Sequence, residues 1–146
     1  MNDDFRLMHC SWQDSCEALT AVRRIVFIEE QQVPQALELD ELDRISHHVL
    51  VSAKDGQPIA TGRIGPDGRI GRMAVLKAYR RRGIGSALLA ALLDHARQNG
   101  LAGVYLHAQL SAIPFYEKHG FVAEGESFMD AGIAHKSMIY RPLSLP

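Results

Sequence analysis

Residues 73–93 read MAVLKAYRRRGIGSALLAALL and combine three local patterns. A short apolar run, Met73-Ala74-Val75, is typical of a strand, and a basic loop leads from it to Gly83-Ile84-Gly85. Behind the glycines, apolar residues recur at helical spacing on one broad face, at Leu88, Leu89, Leu92, Leu93 and Ala96. The stretch therefore predicts a strand, a glycine loop and a helix that packs on a sheet.

The glycine loop has the features of an anion-binding site. The first amides of a helix lack internal partners and carry partial positive charge, and Arg80, Arg81 and Arg82 add full charges. The loop is not a dinucleotide fingerprint, because Leu88 stands where the third glycine would be, and it is not a P-loop, because no Gly-Lys-Ser/Thr follows. A tight strand-to-helix turn with a solvated basic loop is the alternative interpretation.

Composition limits the class of protein. The chain has 146 residues, which predicts a single domain over residues 1–146 with a real core. The formal charge of -1 does not favour nucleic-acid binding, and no apolar stretch approaches the roughly 20 residues of a membrane span. Cys10 and Cys16 are too few for a disulfide framework and are wrongly spaced for a zinc knuckle. We expect a cytoplasmic protein without a metal.

Periodicity and turn signals predict seven strands and three helices. Ser11 with Asp14, or Asp14 with Glu17, marks the start of a first helix, and Val33-Pro34 ends it. The acidic residues 35–48 form a loop, with or without a short turn of helix. Asp55-Gly56 predicts a hairpin, so the second, third and fourth strands form an antiparallel meander. The long helix ends at Asn99-Gly100, Ser111 caps a short third helix, and Gly120 ends it. The predicted strands are residues 5–10, 49–53, 58–64, 69–75, 104–108, 121–126 and 135–141.

Two motifs resemble those of the GNAT acyltransferases. Arg80-x-x-Gly83-x-Gly85 after an apolar strand is similar to the loop that binds the pyrophosphate of acetyl-CoA. Residues 109–121, QLSAIPFYEKHGF, are similar to the N-x-x-A-x-x-x-Y-x-x-x-G-F signature, with Gln109 where asparagine is commoner. Residues 22–43 and 128–138 resemble the ElaA-like branch. The resemblance implies an α/β (α+β) fold: a mixed, mostly antiparallel sheet of about six or seven strands, flanked by helices and splayed between residues 73–75 and 104–108.

The resemblance also implies an acetyl-CoA-dependent N-acetyltransferase. The splayed strand Met73, Ala74, Val75 would offer backbone groups to the pantetheine and one N–H to the thioester oxygen. The arginines and the loop amides would hold the pyrophosphate, and Gln109 and Tyr116 would complete the acetyl-CoA site. The predicted pyrophosphate residues are Arg80, Arg81, Arg82, Gly83, Ile84, Gly85, Ser86 and Ala87.

Amine acetylation needs a free amine and a proton for the departing thiolate. Tyr116 is the candidate general acid, since its place in the signature favours this role over that of an aromatic core residue. Glu30 is the first candidate base, and His107 and His135 are substrate-binding residues that can act directly or through water. The acidic residues 38–43 attract a cationic amine or form a solvated loop.

Two functions from different classes stay open at this level. The first is N-acetylation of the primary amine of a small molecule or peptide. The second is a non-catalytic acyl-CoA-binding sensor or interaction module, which has no need of an acid at Tyr116. Arg80–Arg82 lack the interleaved aromatic residues of a nucleic-acid site. We expect acetyl-CoA and an amine as partners, no nucleic acid and no membrane, and leave a homodimer open.

Overall fold

The computed structural model describes residues 5–38 and 40–141. Seven strands form one sheet in the order β1-β2-β3-β4-β5-β7-β6. All neighbouring strands are antiparallel except β4 and β5, which are parallel. The strands are β1 (Arg6–Cys10), β2 (His47–Ser52), β3 (Pro58–Ile64), β4 (Arg69–Val75), β5 (Tyr105–Gln109), β6 (Phe121–Asp130) and β7 (Ile133–Tyr140). The mixed, mostly antiparallel sheet predicted from the sequence is confirmed.

Helices cover both faces of the sheet. They are α1 (Trp12–Arg23), continued by a π-helix (Arg24–Glu30), then α2 (Gln35–Glu38), α3 (Ile84–Gln98) and α4 (Ile113–Glu117), with 3-10 turns at Glu41–Arg44, Lys77–Tyr79 and Leu110–Ala112. Both α1 and α3 contact β3, whose residues on alternating faces are buried. Since both faces of β3 are shielded from water, these two helices lie on opposite sides of it. None of the helices in the described ranges is long and apolar enough to cross a membrane.

The core lies where α3 packs on the middle strands. Leu88, Leu89 and Leu92 are fully buried, as the helical spacing of the leucines predicts. Leu92 also lies close to β3, because a Cβ added to Gly62 would come within 3.1 Å of its side chain. Ser11 caps α1 as expected, with its hydroxyl accepting a hydrogen bond from the Asp14 amide at 3.2 Å.

Four local predictions are wrong. Residues 35–48, predicted as a loop with at most one short turn of helix, contain both α2 and a 3-10 turn, and β2 begins within them at His47 instead of at Val49. The short helix α4 has no side-chain cap, since Ser111 lies inside the preceding 3-10 turn. Strand β6 extends to Asp130, because its pairing with β7 resumes after a bulge between Glu124 and Phe128. The last turns of the first helix are π-helical, a form that apolar spacing does not distinguish from an α-helix.

Candidate active site

Strands β4 and β5 separate and open a groove. They pair only at Arg69 with Tyr105 and at Ile70 with Leu106, so the edge of β4 beyond Ile70 has no strand partner on the β5 side. A groove of about 680 Å³ occupies this opening and extends to the start of α3. The splay predicted for this strand pair is confirmed, and backbone groups of β4 border a space wide enough for an extended ligand.

A bulge in β4 reshapes the wall of the groove. The pairing with β3 runs from Ala74 opposite Thr61 to Gly71 opposite Arg63, so Arg72 and Met73 together face Gly62. Arg72 adopts φ 51°, a left-handed conformation that is unusual outside glycine and that marks bulges and functional sites. A Cβ on Gly62 would lie only 2.7 Å from the Met73 sulfur. The bulge therefore depends on a glycine in the neighbouring strand.

The loop before α3 turns its backbone toward the groove. Arg81 has φ 64° and Gly83 has φ 79°, and Gly83 caps α3 without a side-chain hydrogen bond. Alternating left-handed residues bring successive amides together into a concave nest that suits an anion. A Cβ on Gly83 would meet nothing within 4 Å, so glycine is required there by its φ angle and not by lack of space.

The three arginines of the loop have different surroundings. Arg80 donates from Nε to the Val75 carbonyl at 2.9 Å and forms a two-pronged ion pair with Glu30, at 2.7 and 2.8 Å. Arg81 lines the groove, whereas the Arg82 guanidinium lies over the Tyr79 ring, 5.4 Å from its centre, and does not line the groove. Among the described residues, Arg81 thus lines the groove without an ion pair of its own, whereas Arg80 lines it while paired with Glu30.

Glu30 lies at the basic loop and does not line the groove. Hydrogen bonding to Arg80 lowers the pKa of its carboxyl group, which makes the carboxylate a weaker base. The π-helix sets this position, because each of its turns holds more residues than an α-helical turn. Phe27 and Gln31 line the groove instead, and the Gln31 Oε1 accepts a hydrogen bond from Gln109 Nε2 at 2.9 Å. This geometry does not favour the base role predicted for Glu30.

Tyr116 lies at the inner wall of the groove with only 9% of its surface exposed. Its ring packs edge-on against Phe115 and Phe121. Burial raises the pKa of the phenol to about 12, so the hydroxyl stays protonated at every working pH. Among the described residues, no side chain or backbone group forms a hydrogen bond with this hydroxyl. Tyr116 is therefore a packed core residue that keeps a protonated phenol at the groove wall.

The two predicted histidines carry their protons on different ring nitrogens. His107 Nδ1 lies 3.1 Å from the guanidinium of Arg69, which can only donate, so Nδ1 accepts and Nε2 carries the proton. His135 Nδ1 lies 2.7 Å from the Ile133 carbonyl, which can only accept, so Nδ1 carries the proton and Nε2 keeps its lone pair. Both rings line the groove, but only His135 has a free basic nitrogen.

The acidic segment is neither a solvated loop nor free to attract an amine. Glu38 and Asp43 are almost fully buried and bind Arg23, with Nε–Oε2 and Nη1–Oδ1 distances of 2.7 and 2.8 Å. Arg63 joins Asp43 to Asp40, and Arg72 lies 3.2 Å from Glu38. The expectation from the charge run is wrong, because arginines 15 to 34 residues away neutralise it. This network fixes α2 against the bulge of β4.

Most of the predicted site residues meet in the groove. Those that line it are Met73, Ala74, Val75, Arg80, Arg81, Gly83, Ile84, Gly85, Ser86, His107, Gln109, Tyr116 and His135. Glu30, Arg82 and Ala87 do not line it. Sequence reasoning missed a further set, which comes from the π-helix and its end, β4, α4 and the end of β6: Phe27, Gln31, Arg69, Arg72, Phe115 and Asp130. Lone arginines and glutamines carry no local signal of such a position.

Comparison with known proteins identifies the class. A family model described as an acetyltransferase (GNAT) domain matches residues 16–142. The uncharacterized N-acetyltransferase YjcF of Bacillus subtilis (strain 168) is 42% identical over 123 residues, covering 81% of this chain and 86% of that protein. The solved structure of an acyl-CoA N-acyltransferase from Pseudomonas aeruginosa is 31% identical, with a TM-score of 0.82 over 92% of this chain and 98% of that one. Escherichia coli ElaA has a TM-score of 0.81 at 25% identity, covering 92% and 98%.

The fold and the groove define an acyltransferase. The chain belongs to the GNAT acetyltransferase family, and the resemblance inferred from the two sequence motifs is confirmed.

Proposed function

We propose that the chain transfers an acetyl group from acetyl-CoA to the primary amine of a small molecule or peptide by direct attack on the thioester. The observation that carries the proposal is the groove between β4 and β5, which joins an unpaired strand edge to an amide nest. The unpaired strand edge suits an extended pantetheine, and the amide nest suits a pyrophosphate. The acyl-CoA N-acyltransferase from Pseudomonas aeruginosa, at 31% identity, supports the same donor class.

We expect acetyl-CoA to lie along the groove in one direction. The amides from Arg82 to Ala87 and the side chain of Arg81 would hold the pyrophosphate at the start of α3. The pantetheine would then follow residues 73–75 of β4 toward the closed end of the opening. The bulge at Arg72 would supply an N–H to the thioester oxygen, where negative charge develops during attack.

Tyr116 is proposed to protonate the departing thiolate. When the amine has attacked and the carbon–sulfur bond breaks, the sulfur takes the electron pair and needs a proton. The Tyr116 hydroxyl is available for donation, because it is protonated and forms no hydrogen bond with the described residues. The phenolate that results is reprotonated from solvent through the groove.

His135 is proposed to accept the amine proton, directly or through one water. Its Nε2 is the basic nitrogen left free in the groove, whereas Nδ1 of His107 is occupied by Arg69 and Glu30 is occupied by Arg80. This assignment replaces the first candidate from the sequence with another residue named there. The reason is that the free ring nitrogen of His135 is unprotonated, whereas the free ring nitrogen of His107 carries a proton.

The test is thiol release from acetyl-CoA in the presence of a panel of amines. Primary amines should release CoA above the rate of hydrolysis, and tertiary amines, which cannot form an amide, should not. Mass spectrometry of the amine should show the acetylated product. Tight acetyl-CoA binding without thiol release from any amine would contradict the proposal and support the acyl-CoA-binding module.

A further inference from the structure

Arg69 lies at the closed end of the opening between β4 and β5. It pairs with Tyr105, one position before the last paired residues, Ile70 and Leu106, and it lines both the main groove and an adjoining pocket of about 270 Å³. This pocket is enclosed by the π-helix, α2 and the β6–β7 hairpin. A ligand that enters here reaches the thioester end of the proposed acetyl-CoA path from the side opposite the pyrophosphate.

The guanidinium of Arg69 has no ion pair among residues 5–38 and 40–141. Its side chain forms a hydrogen bond to His107 Nδ1 at 3.1 Å. The nearby carboxylate of Asp67 is engaged elsewhere, since one oxygen accepts from the Arg69 backbone amide and the other from the Tyr105 hydroxyl at 2.8 Å. A half-buried arginine without a carboxylate partner is an incomplete arrangement.

The other arginines that line these two cavities either have a carboxylate partner or lie at the pyrophosphate end of the groove. Arg72 lies within 3.2 and 3.6 Å of Glu38 and Asp40, and Arg80 is paired with Glu30. Arg81 lies at the start of α3, where the pyrophosphate is proposed to bind. Arg69 is thus the guanidinium left for an anionic group at the acceptor end of the described groove.

His107 orients the guanidinium of Arg69. Because the guanidinium cannot accept, the imidazole accepts through Nδ1 and carries its proton on Nε2, on the side of the ring away from Arg69. Burial and the charge of Arg69 lower the pKa of His107, although Asp130 and its negative charge oppose this, so the neutral ring is the relevant form near neutral pH. The bond to Nδ1 uses one N–H of the guanidinium and leaves its other N–H groups and its positive charge for the groove, which is the chemistry of a carboxylate site.

We propose that Arg69, held in place by His107, binds a carboxylate on the acetyl acceptor, so that the acceptor is an amine that also carries a carboxylate, as amino acids and peptides do. This inference rests on the proposed function and names its substrate class. Phe128 packs against both His107 and His135, with its ring centre 5.1 Å from the first and 6.1 Å from the second, so the two histidines border one part of the site. An amine beside His135 and a carboxylate beside Arg69 would lie in the same groove, and the exposed Asp130 can attract the ammonium before it loses its proton.

The experiment compares matched acceptors that differ in one charge. Each acceptor with a free carboxylate, such as glycine, β-alanine, γ-aminobutyrate and dipeptides, is assayed beside its carboxamide for thiol release from acetyl-CoA. For the best acceptor of the panel, kcat/KM of the wild type should be about ten- to hundredfold higher with the carboxylate than with its carboxamide, as a charge-assisted hydrogen bond allows. Arg69→Gln should bring that ratio near one without changing the KM for acetyl-CoA, and Arg69→Lys should give an intermediate ratio.

Arg97→Gln is the matched control, because it removes the same charge from an exposed position at the end of α3. It should leave the ratio as in the wild type. Equal rates for carboxylates and carboxamides across the panel, or an unchanged ratio in Arg69→Gln, would overturn the inference while leaving the proposed function intact.

A second measurement does not depend on turnover. N-acetyl amino acids resemble the reaction product, and their binding is followed by the NMR signals of the His107 imidazole. N-acetyl-β-alanine should shift these signals in the wild type and not in Arg69→Gln, whereas its carboxamide should leave both proteins unchanged. Absence of any shift with every N-acetyl amino acid tested would contradict the carboxylate site, even if no amine in the panel were acetylated.

Discussion

Glu30→Gln separates two roles for a carboxylate at the end of the π-helix. In the structure this carboxylate forms a two-pronged pair with Arg80, whose Nε also bonds the Val75 carbonyl. If Arg80 serves the proposed pyrophosphate site, Glu30 places a negative charge beside the incoming anion. Removing that charge should strengthen acetyl-CoA binding, because Arg80 stays anchored to Val75 and no longer has a competing partner.

The expected size follows from the exposure of the pair. Both side chains are more than a third exposed, at 36% and 38%, so the carboxylate acts through water and the loss of the pair should cost at most about 1 kcal/mol of stability. A unit charge about 6 Å from a phosphate in water opposes binding by about 0.7 kcal/mol, and the second phosphate charge raises this slightly. The dissociation constant for acetyl-CoA should fall about three- to fivefold, and the gain should shrink at high salt.

Calorimetric titration of acetyl-CoA at low and high salt measures this effect. Glu29→Gln is the control, since it removes the same charge from the exposed neighbouring residue, and its affinity should stay near the wild-type value. Steady-state rates with an amine acceptor complete the test. Unchanged acetyl-CoA affinity in Glu30→Gln, together with a loss of about 10²- to 10⁴-fold in kcat, would refute the reasoning and support Glu30 as the base.

Three further perturbations follow from the same structure. Tyr116→Phe keeps the packed ring but removes the donated proton, so kcat should fall by about 10²-fold with little change in acetyl-CoA affinity; equal rates across pH would exclude the acid role. Gly85→Val should weaken acetyl-CoA binding in a folded protein, because a Cβ there lies 3.4 Å from Phe115 and the larger side chain narrows the groove; unchanged affinity by calorimetry would contradict the site. Burial and neighbouring histidines lower the pKa of His47 from 6.5 to about 4 in the folded protein. Between about pH 6.5 and 4 the unfolded chain therefore carries a proton on this histidine that the folded protein does not, so stability should fall as the pH drops through this range. With solvent screening at this half-buried ring, about 1–2 kcal/mol should be lost, and His47→Gln should flatten the denaturation profile; a profile as steep as that of the wild type would contradict this.

Local patterns predicted the parts of the fold that local chemistry determines. Strands β3 and β4 match their predicted bounds, because alternating apolar residues are bounded by turn-forming glycines. The parallel direction of β4 and β5 also followed from the sequence, since the intervening helix allows it, whereas the opening between them was implied by the resemblance to the GNAT acyltransferases. The glycines were predicted to form the turn that begins the long helix, and Gly83 does so in a left-handed conformation, which the sequence pattern alone did not specify.

Features that depend on distant partners could not be predicted. The bulge at Arg72 requires Gly62 in the neighbouring strand, and neither residue indicates it alone. The ion pair between Glu30 and Arg80 joins residues that are 50 apart, so a sequence motif for the loop does not contain it. The protonated nitrogen of His135 could not be predicted either: its partner, the Ile133 carbonyl, is only two residues away, but their contact depends on the conformation of β7.

A crystal structure with bound CoA tests the central claim most directly. The account predicts that the pyrophosphate lies within hydrogen-bond distance of the amides at the start of α3, that the pantetheine follows residues 73–75 of β4, and that the sulfur lies beside the Tyr116 hydroxyl. CoA bound in the groove with its pyrophosphate away from Gly83 and Gly85, or bound outside the opening between β4 and β5, would contradict it.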